Sequence, residues 1–201
     1  MSTEISAKLV KELRDMTGAG MMDCKKALQE NNADVEAAKD WLRAKGIASA
    51  ASRSGRAANE GVIHSYVHQG GRIGVMVEIN CETDFVARTD AFDAFAHQVA
   101  MQIAAMKPMV VSADDVPEDV KERERAIYAE QALDRPEAAR EKIVEGKLAK
   151  YLREVSLLDQ EFFLDQTEKK ARTMEELRAE TSTALGENIS IRRFTIFQLG
   201  G

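Results

Sequence analysis

The chain has 201 residues, 44% of them hydrophobic and 31% charged, which is the balance of a soluble globular protein rather than a disordered one. A formal net charge of −6 argues against the broad basic footprint of a nucleic-acid binder. Two cysteines, Cys24 and Cys81, lie far apart with no CxxC spacing, so neither a disulfide framework nor a zinc site is indicated and a reducing cytoplasm is expected.

The opening "MSTEISAKLVKELRDMTG" is charged throughout and lacks the apolar run of a signal peptide, and no later run reaches membrane-spanning length. Ile5, Leu9 and Leu13 recur at helical spacing with Val10 widening the stripe, which predicts a first helix over 5–14. "TGAG" (Thr17 to Gly20) breaks it, and a second helix is predicted over 22–30 with Asp23 near its positive end. Asp34 and Glu36 open a third, whose apolar side is Val35, Ala38, Trp41 and Leu42, with Gly46 as its expected stop. The Ala- and Ser-rich "IASAASRSGRAAN", residues 47–59, suits a linker or a marginal helix, and the domain boundary is expected there. A bundle of residues 1–46 is too small to be stable on its own core and should lean on the rest of the chain or on a partner.

Residues 60–201 then read as an α+β core. "GVIHSYVH" and "RIGVMVEIN" flank Gln69, Gly70 and Gly71 in a hairpin pattern, with Ile73, Val75, Val77 and Ile79 on one face. From Asp90 the residues Phe92, Phe95, Ala96, Val99, Ile103 and Met106 keep helical spacing until Pro108. Pro117 and Pro136 are placed as first-turn residues of two more helices, the second running to about Val155 with Gly146 as a soft point. "SLLDQEFFLDQ" reads as an extended connection. Thr173 and Glu176 have capping-box spacing before a helix that reaches Leu185 and ends at Gly186, and "NISIRRFTIFQL" reads as a third strand of the hairpin's sheet. The predicted fold is therefore a three-helix bundle, a linker and a three-stranded antiparallel sheet packed with helices.

Few residues are arranged for chemistry. His64 and His68 are four apart but on a strand, where that spacing separates them by about 13 Å, so no metal is expected. His97 reads as a helix-surface residue. GxSxG, HExxH, P-loop and GxGxxG patterns do not occur, and the glycines and lysines of "GAGMMDCKK" lack both the GK[ST] context and the preceding strand of a phosphate loop. An enzyme is therefore not expected, nor a cofactor. "KERER" (Lys121 to Arg125) reads as a solvated mixed-charge face. The arginines of "IRRF" cover a sheet face, pair with helix carboxylates, or meet RNA, and the acidic background favours the first two.

"NCETDFVART", Asn80 to Thr89, is unusual because Phe85 and Val86 stand beside Asp84 in a connection. Two readings fit the spacing: Phe85 caps this protein's own sheet while Asp84 N-caps the next helix, or the pair is a wedge for a partner.

At "TGAGMMDCKKAL" and "NCETDFVAR" the sequence resembles the elongation factor Ts family, the nucleotide-exchange factors of elongation factor Tu, and the resemblance runs the length of the chain. It implies that residues 1–46 form a three-helix domain similar to ubiquitin-associated domains, that "GVIHSYVHQGGRIGVMVEINCETDFVAR" is the first core hairpin with the family's characteristic loop, and that "GENISIRRF" is the closing strand. It further implies that Thr83, Asp84, Phe85 and Val86 insert into the GTPase domain of elongation factor Tu and disturb its magnesium and GDP phosphate site. Val10, Leu13, Met21 and Met22 are implied to dock elsewhere on that domain. Short members of this kind are implied to be homodimers. Where some carry a cysteine in the closing strand that links protomers, this chain has Thr195, and Glu161 stands where proline is frequent before phenylalanine. Two other function classes fit parts of the sequence: a ubiquitin-associated-type binding module using the N-terminal helices, and an RNA-binding factor using Arg53, Arg56, Arg192 and Arg193.

Overall fold

The computed structural model describes residues 5–165 and 171–200. The chain divides into two compact units. One comprises the residues up to Val62 with Ile79–Phe95 and Glu176–Ser190, and the other comprises Ile63–Glu78, Ala96–Glu175 and the residues from Ile191 onward.

The first unit opens with helices α1 (Ala7–Thr17), α2 (Met21–Glu30) and α3 (Val35–Arg53). Each boundary has a local cause. Ser6 caps α1 by accepting from the Leu9 amide at 3.2 Å, and Asp34 caps α3 by accepting from the Ala37 amide at 3.0 Å. Gly18 ends α1 in the left-handed conformation (φ 67°), its amide bonded to the Arg14 carbonyl at 2.8 Å. Val10, Leu13, Cys24, Ala27, Leu28, Ala38 and Leu42 form the bundle's buried core, with Ile5, Leu9, Val35 and Trp41 packed against it.

The expected stop at Gly46 is corrected: α3 continues through it to Arg53, and of the two readings of residues 47–59 the helical one holds for 47–53. Gly46 faces another helix instead of making a turn. Helix α8 (Met174–Leu185) runs alongside, and a Cβ on Gly46 would sit 3.8 Å from Thr183 Oγ1, which donates to the Gly46 carbonyl at 3.3 Å. Ala50, one turn on, is fully buried, and Arg43, one turn earlier, forms an ion pair with Glu176 of α8. Small residues at 46 and 50 let two helices meet, and the alanines that follow favour continuing the helix.

Strands β1 (Glu60–Val67), β2 (Ile73–Cys81) and β3 (Ser190–Gln198) form a sheet in the order β1-β2-β3. Gly70 and Gly71, at φ 92° and 69°, make the hairpin turn, and the His68 amide bonds the Ile73 carbonyl at 2.8 Å. The Leu199 amide reaches the Arg72 carbonyl at 2.9 Å, joining the end of β3 to the start of β2, so both pairings are antiparallel. Val75, Val77 and Ile79 are buried, whereas Met76 between them is exposed. On β1, His64 and Tyr66 both meet His97 of helix α5 (Asp90–Met106), at 3.3 Å between ring nitrogens and 5.5 Å between ring centroids respectively, so α5 lies on that side of the strand.

The second unit also carries α6 (Glu118–Gln131) and α7 (Glu137–Val155), which pack together as a hairpin. Pro117 and Pro136 occupy the capping position just before each helix rather than its first turn. Gly146 leaves α7 unbroken, and Arg125 of "KERER" is paired on the surface with Glu118 and Glu145.

The expected extended connection after α7 is replaced by two 3₁₀ turns, Leu157–Asp159 and Phe163–Asp165, between which Glu161 bridges to Thr173. Buried Gln102 of α5 causes this. Its Nε2 donates to Gln160 Oε1 at 3.2 Å and to the Glu161 carbonyl at 3.1 Å, while its Oε1 accepts from the Phe163 amide at 3.0 Å. Phe162 is thereby turned inward and buried, with its own amide on the Arg172 carbonyl at 2.7 Å.

Candidate partner-binding site

The connection after β2 is not a bare loop. Thr83 has an extended backbone and caps a single helical turn, α4 (Asp84–Ala87), by accepting from the Val86 amide at 3.4 Å. Phe85, on the tip of that turn, is 80% exposed. Of the two readings that the spacing left open, the cap on the protein's own sheet therefore does not hold for Phe85, and it is Thr83 rather than Asp84 that supplies the N-cap. The Asp84 side chain is 44% exposed and forms an ion pair with Arg88, and Val86 is half-buried.

What pins the turn comes from the other end of the chain. The Glu187 carboxylate accepts three hydrogen bonds, from the amides of Glu82 (3.0 Å) and Thr83 (3.1 Å) and from the Thr83 hydroxyl (2.6 Å). Glu82 reciprocates, accepting from the Asn188 amide at 2.6 Å and from Arg56 at 3.3 Å. The Asn188 side chain in turn donates to the carbonyls of Arg56 (2.8 Å) and Ser54 (3.4 Å). Hydrogen bonds to an ionised acceptor are stronger than neutral ones, so this lattice ties the short exposed turn to the segment after α8 from both sides. The Asn188 amide, and after it Arg56, hold the Glu82 carboxyl below the usual carboxylate range despite partial desolvation. Beneath the turn, burial and then the charge of Glu187 push the Cys81 thiol up, and that thiol donates to the Thr83 carbonyl at 3.2 Å.

The remaining site residues expected from the sequence lie in the N-terminal bundle. Val10 (5% exposed) and Leu13 (0%) belong to its core, whereas Met21 (46%) and Met22 (75%) stand at the surface where α2 begins. Of the four residues the resemblance implies for docking, only the two methionines are therefore exposed. Glu82, Glu187 and Asn188 carry no local signal of a site, and Arg56, a candidate RNA contact from the sequence, pairs with Glu82. "GENISIRRF" reads as a strand, and nothing local in it signals that its second residue reaches a turn 104 positions away.

Other candidates resolve into structure. Arg192 and Arg193 both reach Glu78 of the neighbouring strand, at 2.8 and 2.7 Å, so their partner is a strand carboxylate. Among the described residues no cluster of three or more His, Cys, Asp or Glu could hold a metal ion, and no helix is long and apolar enough to cross a membrane.

Comparison with known proteins bears on the same segments. The family model for Elongation factor TS matches residues 48–170. Elongation factor Ts of Thermosynechococcus vestitus is 56% identical over 200 residues, a match covering 98% of this chain and 66% of that protein. Elongation factor Ts of Carboxydothermus hydrogenoformans is 54% identical, with 98% and 89% covered, and that of Thermotoga petrophila 52% identical, with 98% and 97% covered. With the characteristic turn, the antiparallel sheet and matches of this extent in agreement, the chain belongs to the elongation factor Ts family.

Proposed function

We propose that this protein is a guanine-nucleotide exchange factor that binds elongation factor Tu in the cytoplasm during translation elongation and promotes GDP release. The observation that carries the reading is Phe85: a large apolar side chain, 80% exposed, on a turn held rigid by hydrogen bonds rather than folded into the core. Exposed apolar side chains are ordinary when scattered, but one mounted on a pinned tip next to a carboxylate is built to enter something.

Phe85 and Val86 enter the GTPase domain of elongation factor Tu while Asp84 competes for groups that support the magnesium ion over the GDP phosphates. Burying a phenylalanine in a partner's pocket yields about 1.5–3 kcal/mol, which matches a typical coupling energy between two sites. Loss of a group that orients a metal's ligands commonly lowers metal affinity about 10- to 100-fold. The factor needs no chemistry of its own: it binds the open, metal-depleted state better than the closed one and so shifts the population. Linkage makes the effect reciprocal, and returning nucleotide expels the factor.

Residues 1–46 act as a ubiquitin-associated-like domain that presents Met21 and Met22, supported by Val10 and Leu13, to a second surface of the GTPase domain. Residues 47–59 connect it to the core of residues 60–201, through which two protomers pair. The exposed apolar side chains Ile63, Val67, Met76 and Phe197 on the three strands support that pairing.

The test is release of a fluorescent GDP analogue from elongation factor Tu with and without this protein. Acceleration that Phe85→Ala and Asp84→Ala, each shown to be folded, reduce about tenfold or more is expected. Absence of acceleration by the parent at micromolar concentration would overturn the reading.

A further inference from the structure

We infer that Glu187 is a positioning residue for exchange: it sets the turn that carries Asp84 and Phe85 before any partner arrives. The inference rests on the exchange reading above and names the part of the molecule that makes it work. The Thr83 hydroxyl stands between two roles. Its proton goes to Glu187 Oε1 at 2.6 Å, which leaves its lone pairs to accept from the Val86 amide at 3.4 Å and close the helical turn. Glu187 thus fixes the rotamer of the capping residue, and the cap fixes the direction of Phe85. Without the carboxylate, two consecutive amides, those of Glu82 and Thr83, lose their acceptor at the point where β2 ends and the turn begins.

Glu187 is itself set from the end of α8. Gly186 leaves the helix with φ 77°, its amide on the Ser182 carbonyl at 2.9 Å, and the Ser182 hydroxyl bonds the Glu187 carbonyl at 2.5 Å. Asn188 then places its amide on Glu82. Two carboxylates each accept from the other segment's backbone, so neither segment shifts without releasing both. A wedge held this way meets its pocket already ordered, and the ordering cost is not charged against binding.

The experiment combines two readouts on the parent, Glu187→Gln, Glu187→Ala, Phe85→Ala and the double variant Glu187→Ala/Phe85→Ala. Amide hydrogen exchange reports whether Glu187 holds the turn. The Glu82 and Thr83 amides are expected to exchange at least about tenfold faster in Glu187→Ala, and by a smaller factor in Glu187→Gln, which keeps the shape and loses the charge, while Val99 and Ile103 in α5 stay protected. Release of GDP from elongation factor Tu reports what the positioning is for. Glu187→Ala is expected to lower it about tenfold, with a clearly less than multiplicative loss when added to Phe85→Ala, because Glu187 acts through the turn that carries Phe85 and Asp84. Unchanged protection of both amides in either folded variant overturns the inference, as does full release activity of Glu187→Ala or a loss that multiplies with that of Phe85→Ala. Should Glu187→Ala not fold, Glu187→Gln decides on the same readouts. A parent that fails to accelerate release removes the exchange reading and leaves the amide measurements to decide whether Glu187 positions the turn.

Discussion

Asp84 and Arg88 face each other across one helical turn, with Arg88 Nη2 2.9 Å from Asp84 Oδ2. Their side chains are 44% and 78% exposed, so water screens the pair and it contributes at most about 1 kcal/mol. The ion pair orients Asp84 without committing it. A partner that uses the carboxylate has to displace only a weak competitor. Arg88→Ala is accordingly expected to lower stability in urea denaturation by no more than about 1 kcal/mol. GDP release from elongation factor Tu should equal the parent's or exceed it by up to about fivefold, the equivalent of removing a 1 kcal/mol competitor. A tenfold loss in the same assay would instead give Arg88 a contact of its own with the partner.

Acid should loosen the reciprocal carboxylate lattice. The hydrogen bond from the Asn188 amide, and then Arg56, keep Glu82 ionised to lower pH in the folded protein than in the unfolded chain. On acidification the unfolded chain takes up this proton first. The group's contribution is whole above the ordinary carboxylate range and is lost as pH falls through the folded value. Urea midpoints of the parent and of Glu82→Gln should differ most near neutrality, and the gap should narrow between about pH 5 and about pH 3. A constant gap across that range would show that Glu82 acts through its shape and not its charge.

Two glycines should respond in opposite directions to the same substitution. Gly61 on β1 has φ 144°, and a Cβ there would lie 2.1 Å from the Ile79 carbonyl oxygen and 2.8 Å from Asn80 Cα, both backbone atoms. Gly61→Ala forces the strands apart, and a loss of about 1–3 kcal/mol or more is expected. Gly146 lies on the exposed side of α7 with nothing within 4 Å of its Cβ position, so Gly146→Ala should gain about 1 kcal/mol from helix propensity alone. Chemical denaturation of the two variants beside the parent checks both signs at once.

The sheet face bearing Ile63 (66% exposed), Val67 (67%), Met76 (46%) and Phe197 (66%) provides a self-association test. A standard protein interface buries about 800 Å² on each partner, and a three-stranded face with apolar residues on every strand is the surface here suited to supply it. Sedimentation equilibrium at micromolar concentration should give a dimer for the parent and a monomer for Val67→Lys or Phe197→Lys, each with an unchanged circular dichroism spectrum. A parent that stays monomeric at 100-fold higher concentration would sink the pairing.

Elements with local causes could be read from the residues alone. Helical spacing of Ile5, Leu9, Leu13 and of Phe92, Phe95, Val99, Ile103, alternation at Val75, Val77, Ile79, and glycines at 70 and 71 each report a backbone period or a φ requirement that a short window contains. The motif around Thr83, Asp84, Phe85 and Val86 stood out through resemblance to a family, not through any local period. What those side chains face follows from contacts far apart in the chain. Gly46 looks like a helix stop until Thr183, 137 residues away, shows it to be a crossing point. The segment around Glu161 looks extended until Gln102 supplies the donors and acceptor that fold it into two turns. Phe85 fits a core cap as well as an outward wedge on spacing alone, because periodicity states which residues share a face and not whether anything covers it. The Glu187 carboxylate that holds the turn is invisible to any local window, since its hydrogen bonds reach across 104 and 105 residues and depend on α8 and β2 ending beside each other.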